Sequence, residues 1–256
     1  MDIKFDINKL YIVADFDHTL TTKDSQNCWG IISKIPNISK EYIKKSKQNN
    51  DYYLPIEQDN TLDLKAKQTL MRAWYQDHLK MLIKYKVTKQ DIENISQSDD
   101  IIFRNGLPEF LDFTYKNNIP FIIVSAGITN IIKGALKKRN LFYDNIYILS
   151  NILKFKDDYV INTRNNIIHS LNKNIVEVPP KIKELLKDRN QVILIGDNIG
   201  DALMMIKKND KTFKVAFINY PNKENLVSFK KCFDVVLGTN QSFDDVKKLL
   251  EANLQK

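Results

Sequence analysis

The chain has 256 residues, is 43% hydrophobic and carries a formal net charge of +8. A chain of this length can bury a large core, either as one large domain or as a core with an insertion. No apolar run approaches the roughly 20 residues that a membrane-spanning helix needs, and the amino terminus lacks the apolar region of a signal peptide. Only two cysteines occur, Cys28 and Cys232, which is too few for a disulfide scaffold. We expect a cytoplasmic protein with no membrane partner.

The positive charge comes almost entirely from lysines scattered along the chain. Arginine, which specific recognition of nucleic-acid bases and phosphates favours, occurs only at positions 72, 104, 139, 164 and 189. We therefore expect no nucleic-acid partner, and we expect a monomer. A basic surface would instead help to attract a small phosphorylated substrate.

An unbroken apolar run, Leu10 to Ala14, is followed directly by Asp15 and then by Asp17. Such a run is typical of a buried parallel strand, and open α/β sheets place their chemistry just beyond the carboxyl ends of these strands. Two carboxylates this close repel each other, so the pair indicates either a divalent metal site or a raised pKa. The alternative is an Asp-rich turn in which Thr21 or Thr22 caps a helix.

The next stretch, residues 24–105, contains no strand-like run. Apolar and aromatic residues recur in its second half at steps of three and four positions, which predicts an amphipathic helix containing Met71, Trp74, Tyr75, His78, Leu79 and Leu82. Earlier in the stretch, Tyr52 to Glu57 includes Pro55, and we expect a connection there that turns back toward the core. We interpret residues 24–105 as a helical insertion.

From Gly106 onward, apolar runs of strand length alternate with helical patterns. The predicted strands are residues 121–124, 145–149, 191–195, 213–218 and 232–237, with helices near residues 107, 128, 180, 199 and 243. Residues 152–161 predict a small hairpin. This alternation predicts an α/β fold with a doubly wound, Rossmann-like parallel sheet and helices on both of its faces.

A second predicted strand end carries Ser125, Ala126 and Gly127. A hydroxyl followed by a glycine and a helix amino terminus offers one O–H and several backbone N–H donors to a phosphate. The alternative is that Ser125 only caps the following helix.

A third predicted strand end carries Asp197 and Asp201. Their spacing of four brings both side chains to one face of the first helical turn. Simple capping is one explanation, and a hard cation held by Asp15 and Asp197 is the other. A lysine is also needed to neutralise the phosphate, but the residues alone do not identify it among so many lysines.

Three motifs together resemble the haloacid dehalogenase (HAD) superfamily of aspartyl-phosphate-forming phosphohydrolases: Asp15-Phe16-Asp17-His18-Thr19-Leu20-Thr21, Ser125-Ala126-Gly127 and Gly196-Asp197-Asn198-Ile199-Gly200-Asp201. More narrowly, the chain is similar to the cytosolic type III pyrimidine 5′-nucleotidases through Tyr52-Tyr53 with Pro55-Ile56-Glu57, Met71 with Trp74-Tyr75 and His78, Asn118-Ile119-Pro120, and Ser150-Asn151 with His169 and Asn172-Lys173. The likeness covers nearly the whole chain from about residue 10.

The resemblance implies a HAD fold with a C1-type cap. Residues 1–23 and 106–256 would form the catalytic core, and residues 24–105 an inserted α-helical cap domain. The implied activity is that of a Mg²⁺-dependent 5′-nucleotidase, which hydrolyses pyrimidine nucleoside 5′-monophosphates such as CMP and UMP through an aspartyl phosphate.

Carried over by motif, the resemblance also implies roles at the phosphate. Asp15 would be the nucleophile and Asp17 the general acid and base, with Lys173 as the third catalytic residue. Asp15, Asp197 and the backbone carbonyl of Asp17 would bind Mg²⁺, and Asp201 would orient the metal shell.

The implied substrate-binding residues are Glu57, Trp74, His78, Ser125, Ala126 and Gly127. Glu57 resembles the carboxylate that meets the polar edge of the base. Trp74 and His78 lie in the cap motif of the family, but both are on the apolar face of the predicted helix, where core packing is the alternative.

Three other functions remain open from the sequence. The first is a phosphatase of the same superfamily that acts on another small monoester, such as phosphoserine. The second is a phosphotransferase that passes the phosphoryl group to a nucleoside. The third, from a different class, is a non-catalytic binder of nucleotides or nucleic acid that uses the positive charge.

Overall fold

A six-stranded, all-parallel β-sheet organises the protein in the computed structural model, which describes residues 4–59, 61–164, 166–204, 206–207 and 210–255. The spatial order of the strands is β3-β2-β1-β6-β7-β8. Their bounds are β1 (Leu10–Ala14), β2 (Phe121–Ile128), β3 (Ile146–Asn151), β6 (Gln191–Gly196), β7 (Lys211–Phe217) and β8 (Val235–Leu237). The predicted doubly wound α/β fold is confirmed.

Strand β1 lies between β2 and β6 in the sheet, and all five of its side chains are buried. Alternate residues point to opposite faces of a strand; accordingly Leu10, Ile12 and Ala14 join one hydrophobic core, while Tyr11 and Val13 join the other. An apolar residue at every position therefore fits a strand that is covered on both faces.

Eight α-helices accompany the strands in the described part of the chain. They are α1 (Lys40–Gln58), α2 (Leu64–Lys84), α3 (Lys89–Ser96), α4 (Leu107–Lys116), α5 (Thr129–Lys138), α6 (Pro180–Leu185), α7 (Lys223–Cys232) and α8 (Phe243–Asn253). None of them combines the length and the apolarity that crossing a bilayer requires.

The helices α1 to α3 all lie between β1 and β2, within the predicted insertion. The two linkers that lead into and out of this segment pair with each other, since the N–H of Thr22 donates to the carbonyl of Ile102 (2.8 Å) and that of Arg104 to Leu20 (2.9 Å). The segment also contacts the hairpin of β4 (Leu153–Lys156) and β5 (Tyr159–Thr163). Its status as a separate cap domain stays a prediction.

The predicted connection at residues 52–57 is wrong, because α1 continues through it to Gln58. Proline in a helix removes one backbone donor and crowds the carbonyl four residues before it. Pro55 lies in the last turn of α1, and the residue four positions earlier, Asp51, is exposed to solvent. The lost backbone hydrogen bond therefore lies near the end of the helix, and Glu57 lies in the last turn of α1.

Other predicted elements differ in extent. Strand β2 runs on to Ile128, which pairs with Asn151 of β3, and the helix expected after β6 is only a short 3-10 turn at Ile199–Leu203. The strand predicted from residue 232 begins at Val235, because Cys232 is still part of α7. Asn222 caps the start of this helix, and Phe229 packs it into the core. The hairpin at residues 152–161 is confirmed.

Close packing of α3 on α5 depends on Gly134. A Cβ atom at this position would lie 1.9 Å from the Oγ and 2.4 Å from the Cβ of Ser96. Alanine is the better helix former, but we expect Gly134→Ala to lower the free energy of unfolding by about 1–3 kcal/mol through overpacking. Urea unfolding measures this change. The double variant Gly134→Ala/Ser96→Gly should recover most of the loss, and a more stable single variant would contradict the packing.

Candidate active site

A cavity of about 240 Å³ opens at the carboxyl edge of the sheet. It lies beside the ends of β1 and β6 and the last part of β2, because Ala14 pairs with both Ile123 and Ile195 and Ser125 and Ala126 of β2 line the cavity. Ten of the eleven predicted site residues line it: Asp15, Asp17, Glu57, Trp74, His78, Ser125, Ala126, Lys173, Asp197 and Asp201.

A buried ion-pair network connects Lys173 to two carboxylates. The Lys173 Nζ lies 2.7 Å from Asp15 Oδ1 and 2.8 Å from Asp201 Oδ1, and all three side chains are almost completely buried. Burial by itself would lower the pKa of Lys173, but the two negative charges raise it above its ordinary value. The lysine is therefore a permanent cation inside the site.

Asp15, Asp197 and Asp201 form a cluster in which one oxygen from each lies within 4.8 Å of the others. Burial, together with the neighbouring carboxylates, raises the pKa of Asp15 to about 7 and that of Asp197 to about 8. One lysine does not neutralise three carboxylates. A buried set of oxygen ligands with excess negative charge fits a hard divalent cation.

Asp201 also organises the loop that carries Asp197. Its Oδ2 accepts the backbone N–H groups of Asp197 and Asn198, each at 3.1 Å. Asp201 therefore caps the turn, as the capping explanation predicts. Its other oxygen forms the ion pair with Lys173. Asp197 precedes the 3-10 turn, so the expected common helical face does not form.

Asp17 is oriented by the segment that follows β1. Its Oδ1 accepts the backbone N–H of Cys28 at 3.0 Å, and burial raises its pKa. The alternative that Thr21 or Thr22 caps a helix is wrong, because no helix begins there. Instead, the hydroxyl of Thr21 accepts the N–H of His18 at 2.8 Å.

The segment Ser125-Ala126-Gly127 forms the end of β2. Ser125 does not cap α5, since its Oγ accepts the N–H of Gly127 at 2.9 Å and α5 begins after Ile128. Gly127 lies behind the cavity wall, where an added Cβ would stand 2.7 Å from the Sγ of Cys28. The role of Ser125, Ala126 and Gly127 in holding phosphate stays a prediction.

Aromatic side chains line the same cavity. The ring of Trp29 lies 5.5 Å from that of His78 and 5.7 Å from that of Tyr75, and its Nε1 donates to the carbonyl of Ala126 at 2.9 Å. Trp74 stacks on Tyr53 at 5.7 Å. Nothing in the local sequence marks Trp29 as a site residue, because it belongs to no periodic pattern and only the fold brings it to the cavity.

Two buried polar atoms of these cavity-lining rings lack a hydrogen-bond partner within the described residues. They are the Nε1 of Trp74 and the Nδ1 of His78. Unpaired buried polar atoms are rare in native proteins and commonly mark a place for a ligand or water. Glu57 lines the same cavity, and burial raises its pKa. Core packing and cavity lining are thus combined in Trp74 and His78.

A sequence model of the family "Pyrimidine 5′-nucleotidase (UMPH-1)" matches residues 16–254. The chain belongs to the UMPH-1 family. The 7-methylguanosine phosphate-specific 5′-nucleotidase of Gallus gallus is 29% identical over 95% of this chain and 87% of its own length. The protein of that name from Homo sapiens is also 29% identical, over 95% of this chain and 84% of its own length.

Solved structures agree with the UMPH-1 assignment at the level of the fold. A crystal structure of cytosolic 5′-nucleotidase IIIB bound to cytidine has a TM-score of 0.85 at 24% identity, covering 96% of this chain and 86% of that one. A substrate-bound phosphoserine phosphatase has a TM-score of 0.62 at 18% identity, covering 94% and 98%. The fold is that of the HAD phosphatases, and this UMPH-1 member is a phosphoric monoester hydrolase.

Burial of His78 makes stability depend on pH. Its pKa falls from 6.5 to about 4 because burial disfavours the imidazolium. The unfolded chain therefore takes up a proton below pH 6.5 that the folded protein takes up only near pH 4, and the free energy of unfolding decreases as the pH falls through this window. At pH 5 the loss from this group is about 2 kcal/mol relative to pH 7.

Urea unfolding at pH 7 and pH 5 measures this loss. In His78→Gln the difference between the two pH values should shift by about 2 kcal/mol in favour of stability at pH 5. The same shift in His169→Gln is expected, since the pKa of His169 is also lowered to about 4 by burial. An unchanged pH dependence in His78→Gln would contradict a neutral buried histidine.

Proposed function

We propose that this protein is a Mg²⁺-dependent 5′-nucleotidase that hydrolyses nucleoside 5′-monophosphates, with CMP and UMP as substrates. The observation that carries the proposal is one cavity lined by two chemically different sets of side chains. One set is Asp15, Asp17 and Lys173, which suit a phosphate, and the other is the rings of Trp29, Trp74 and Tyr75, which suit a nucleobase.

At the phosphate, Asp15 and Asp197 with the backbone carbonyl of Asp17 would hold Mg²⁺, and Asp201 would keep this shell in place. The bound ion would offset the charge between the carboxylates and the phosphate. Lys173 and the hydroxyl of Ser125, with the backbone at Ala126 and Gly127, would hold the phosphate oxygens. Lys173 contributes a charge that is already buried before substrate arrives.

The proposed reaction has two steps. An oxygen of Asp15 bonds to phosphorus as the bond from phosphorus to the 5′-oxygen breaks, and Asp17 gives its proton to that leaving oxygen. An aspartyl phosphate results. Asp17 then takes a proton from water, which cleaves the aspartyl phosphate and releases phosphate. The raised pKa of Asp17 suits a group that first donates a proton and then accepts one.

At the base, residues 24–105 would act as the cap domain over a core of residues 1–23 and 106–256. The end of α1 supplies Glu57, and α2 supplies Trp74 and His78. A flat base can stack on aromatic rings, while a carboxylate accepts N–H groups from the polar edge of the base. The unpaired Nε1 of Trp74 and Nδ1 of His78 supply further polar partners.

A second candidate substrate is 7-methylguanosine 5′-monophosphate. Both of the relatives described above are named for this nucleotide. Methylation at N7 gives guanine a positive charge, and a cationic ring is attracted by the faces of tryptophan and tyrosine. Trp29, Trp74 and Tyr75 line the cavity together. The substrate panel below compares it with CMP and UMP.

The same site also suits two rival reactions. A phosphoserine phosphatase shares the fold, but the rings around the cavity exceed what a small amino-acid monoester needs. A phosphotransferase would use the same aspartyl phosphate and an acceptor nucleoside in place of water. We further propose that the protein is a monomer. We also propose that it acts in the cytosol, since the relative of known structure is named a cytosolic 5′-nucleotidase.

Replacement of the nucleophile tests the reaction itself. We expect Asp15→Asn to lower Mg²⁺-dependent phosphate release from CMP at least about a thousandfold, because the amide does not form the covalent intermediate. Asp24→Asn, an exposed aspartate after the same strand, is the matched control and should retain activity. Full phosphate release by Asp15→Asn would refute the mechanism.

Replacement of Glu57 tests base binding. In Glu57→Ala, kcat/KM for the preferred nucleotide should fall by about tenfold to a hundredfold, the value of a lost hydrogen bond to a charged group. Turnover of p-nitrophenyl phosphate, which has no base, should change little. The assay is phosphate release from CMP, UMP, GMP, 7-methylguanosine 5′-monophosphate and phosphoserine. Equal losses on every ester would contradict a base-binding role, and preference for phosphoserine would contradict the nucleotidase.

A further inference from the structure

Two buried polar side chains beside the acidic cluster have no role in the reaction described so far. Asn219 follows β7, and Arg104 lies on the linker that returns from the helical segment to the core. Both are almost completely buried. They contact each other, since Arg104 donates from Nη2 to Asn219 Oδ1 at 3.0 Å.

The neighbours of Asn219 fix which way its amide points. A guanidinium only donates hydrogen bonds, so the amide oxygen must face Arg104. The amide nitrogen then faces two acceptors, the carbonyl of His18 at 3.0 Å and Asp197 Oδ2 at 3.1 Å. Every contact is a donor with an acceptor in this orientation, and the flipped amide would set donor against donor.

Asp197 is thereby held from both sides. Its Oδ1 accepts the hydroxyl of Thr19 at 3.1 Å, and its Oδ2 accepts the amide of Asn219. Each oxygen keeps free lone pairs on its other side, as a metal ligand requires. Without these donors, repulsion from Asp15 and Asp201 favours rotation of the carboxylate away from the cluster.

Arg104 supports the same arrangement at a second level. Its Nε donates to the carbonyl of Thr19 at 3.1 Å and its Nη2 to that of His18 at 2.8 Å. The guanidinium lies 4.0 Å from the centre of the Phe217 ring. One planar group thus fixes the loop that carries Thr19 and the amide of Asn219, and these are the two donors to Asp197.

We propose that Asn219 and Arg104 are positioning residues that hold the Asp197 carboxylate in the orientation needed to bind the metal. The proposal rests on the metal site of the proposed function. Partners that orient a metal ligand typically change metal affinity by tenfold to a hundredfold when they are removed. Neither residue touches the substrate or the reacting atoms in this account.

The test measures metal binding directly, with Mn²⁺ as the probe and electron paramagnetic resonance to count free ion. Asn219→Leu keeps the branched shape of the side chain but removes the amide, and the Kd for Mn²⁺ should rise about tenfold or more. Arg104→Lys keeps the charge but loses the planar fork, and its Kd should rise in the same direction. Circular dichroism checks that each variant is folded, and Arg104→Lys decides the question if Asn219→Leu does not fold.

Arg139 provides the matched control. This arginine donates to the carbonyl of Ile101 in the same linker at 2.8 Å and lies 5.1 Å from the Phe103 ring. Arg139→Lys therefore perturbs linker packing, and its Kd for Mn²⁺ should stay within about twofold of wild type, since it donates to neither Asn219 nor Thr19 among the contacts described. An equal loss in Arg139→Lys would overturn the proposal, because linker packing alone would then explain the effect.

Kinetics provide a second readout. In Asn219→Leu the Mg²⁺ concentration for half-maximal phosphate release should rise about tenfold, while KM for the nucleotide at saturating Mg²⁺ stays near that of wild type. A loss of nucleotide affinity with unchanged Mg²⁺ dependence would contradict a role through Asp197.

Asp197→Asn separates the two levels of failure. If wild type binds no Mn²⁺, or if Asp197→Asn binds it as tightly as wild type, the metal site of the proposed function is wrong and the positioning role falls with it. If Asp197→Asn weakens binding but folded Asn219→Leu and Arg104→Lys do not, only the positioning role is overturned.

Discussion

The excess of negative charge around one buried lysine is the constraint on which the site depends. Asp15 and Asp201 each contact Lys173, and Asp197 lies within the same cluster. Like charges in a buried setting cost free energy unless a cation or protons compensate them, and the raised pKa values of Asp15 and Asp197 express that cost. The excess negative charge therefore favours binding of a divalent cation. The hydrogen bonds around the cluster restrain carboxylates that repel one another.

The sheet holds these repelling carboxylates in place. Strands β1, β2 and β6 run in parallel and finish at the same edge, where their apolar residues have already anchored the backbone in the two cores. Backbone donors then hold the carboxylates: Cys28 orients Asp17, and Asp201 is fixed by the loop of Asp197. The same edge receives Asn219 from the end of β7, which gives the edge a polar partner for Asp197.

The helical segment contributes chemistry that the sheet lacks. Trp74 packs against Tyr53 and also lines the cavity, so a residue that packs within the helical segment forms part of the cavity wall. The segment also contacts the loop that carries Lys173, because Gln68 of α2 donates to the carbonyl of Leu171 at 2.9 Å, two residues before Lys173. Helix α2 and the loop that carries Lys173 are therefore connected by a direct hydrogen bond.

Local sequence determined the acidic strand end, the alternation of strands and helices, and the parallel sheet, because a buried strand needs an unbroken apolar run and Asp15 and Asp17 end it abruptly. Lys173 came only from family resemblance, since no local pattern distinguishes one lysine from another. Tertiary structure alone decided that α1 continues past Pro55, that Trp29 joins the aromatic wall, and that Arg104 and Asn219 meet beside Asp197. These features depend on contacts between residues that are far apart in the chain. Sequence periodicity indicates which face of a helix or strand is buried, but it does not identify the residues that pack against that face.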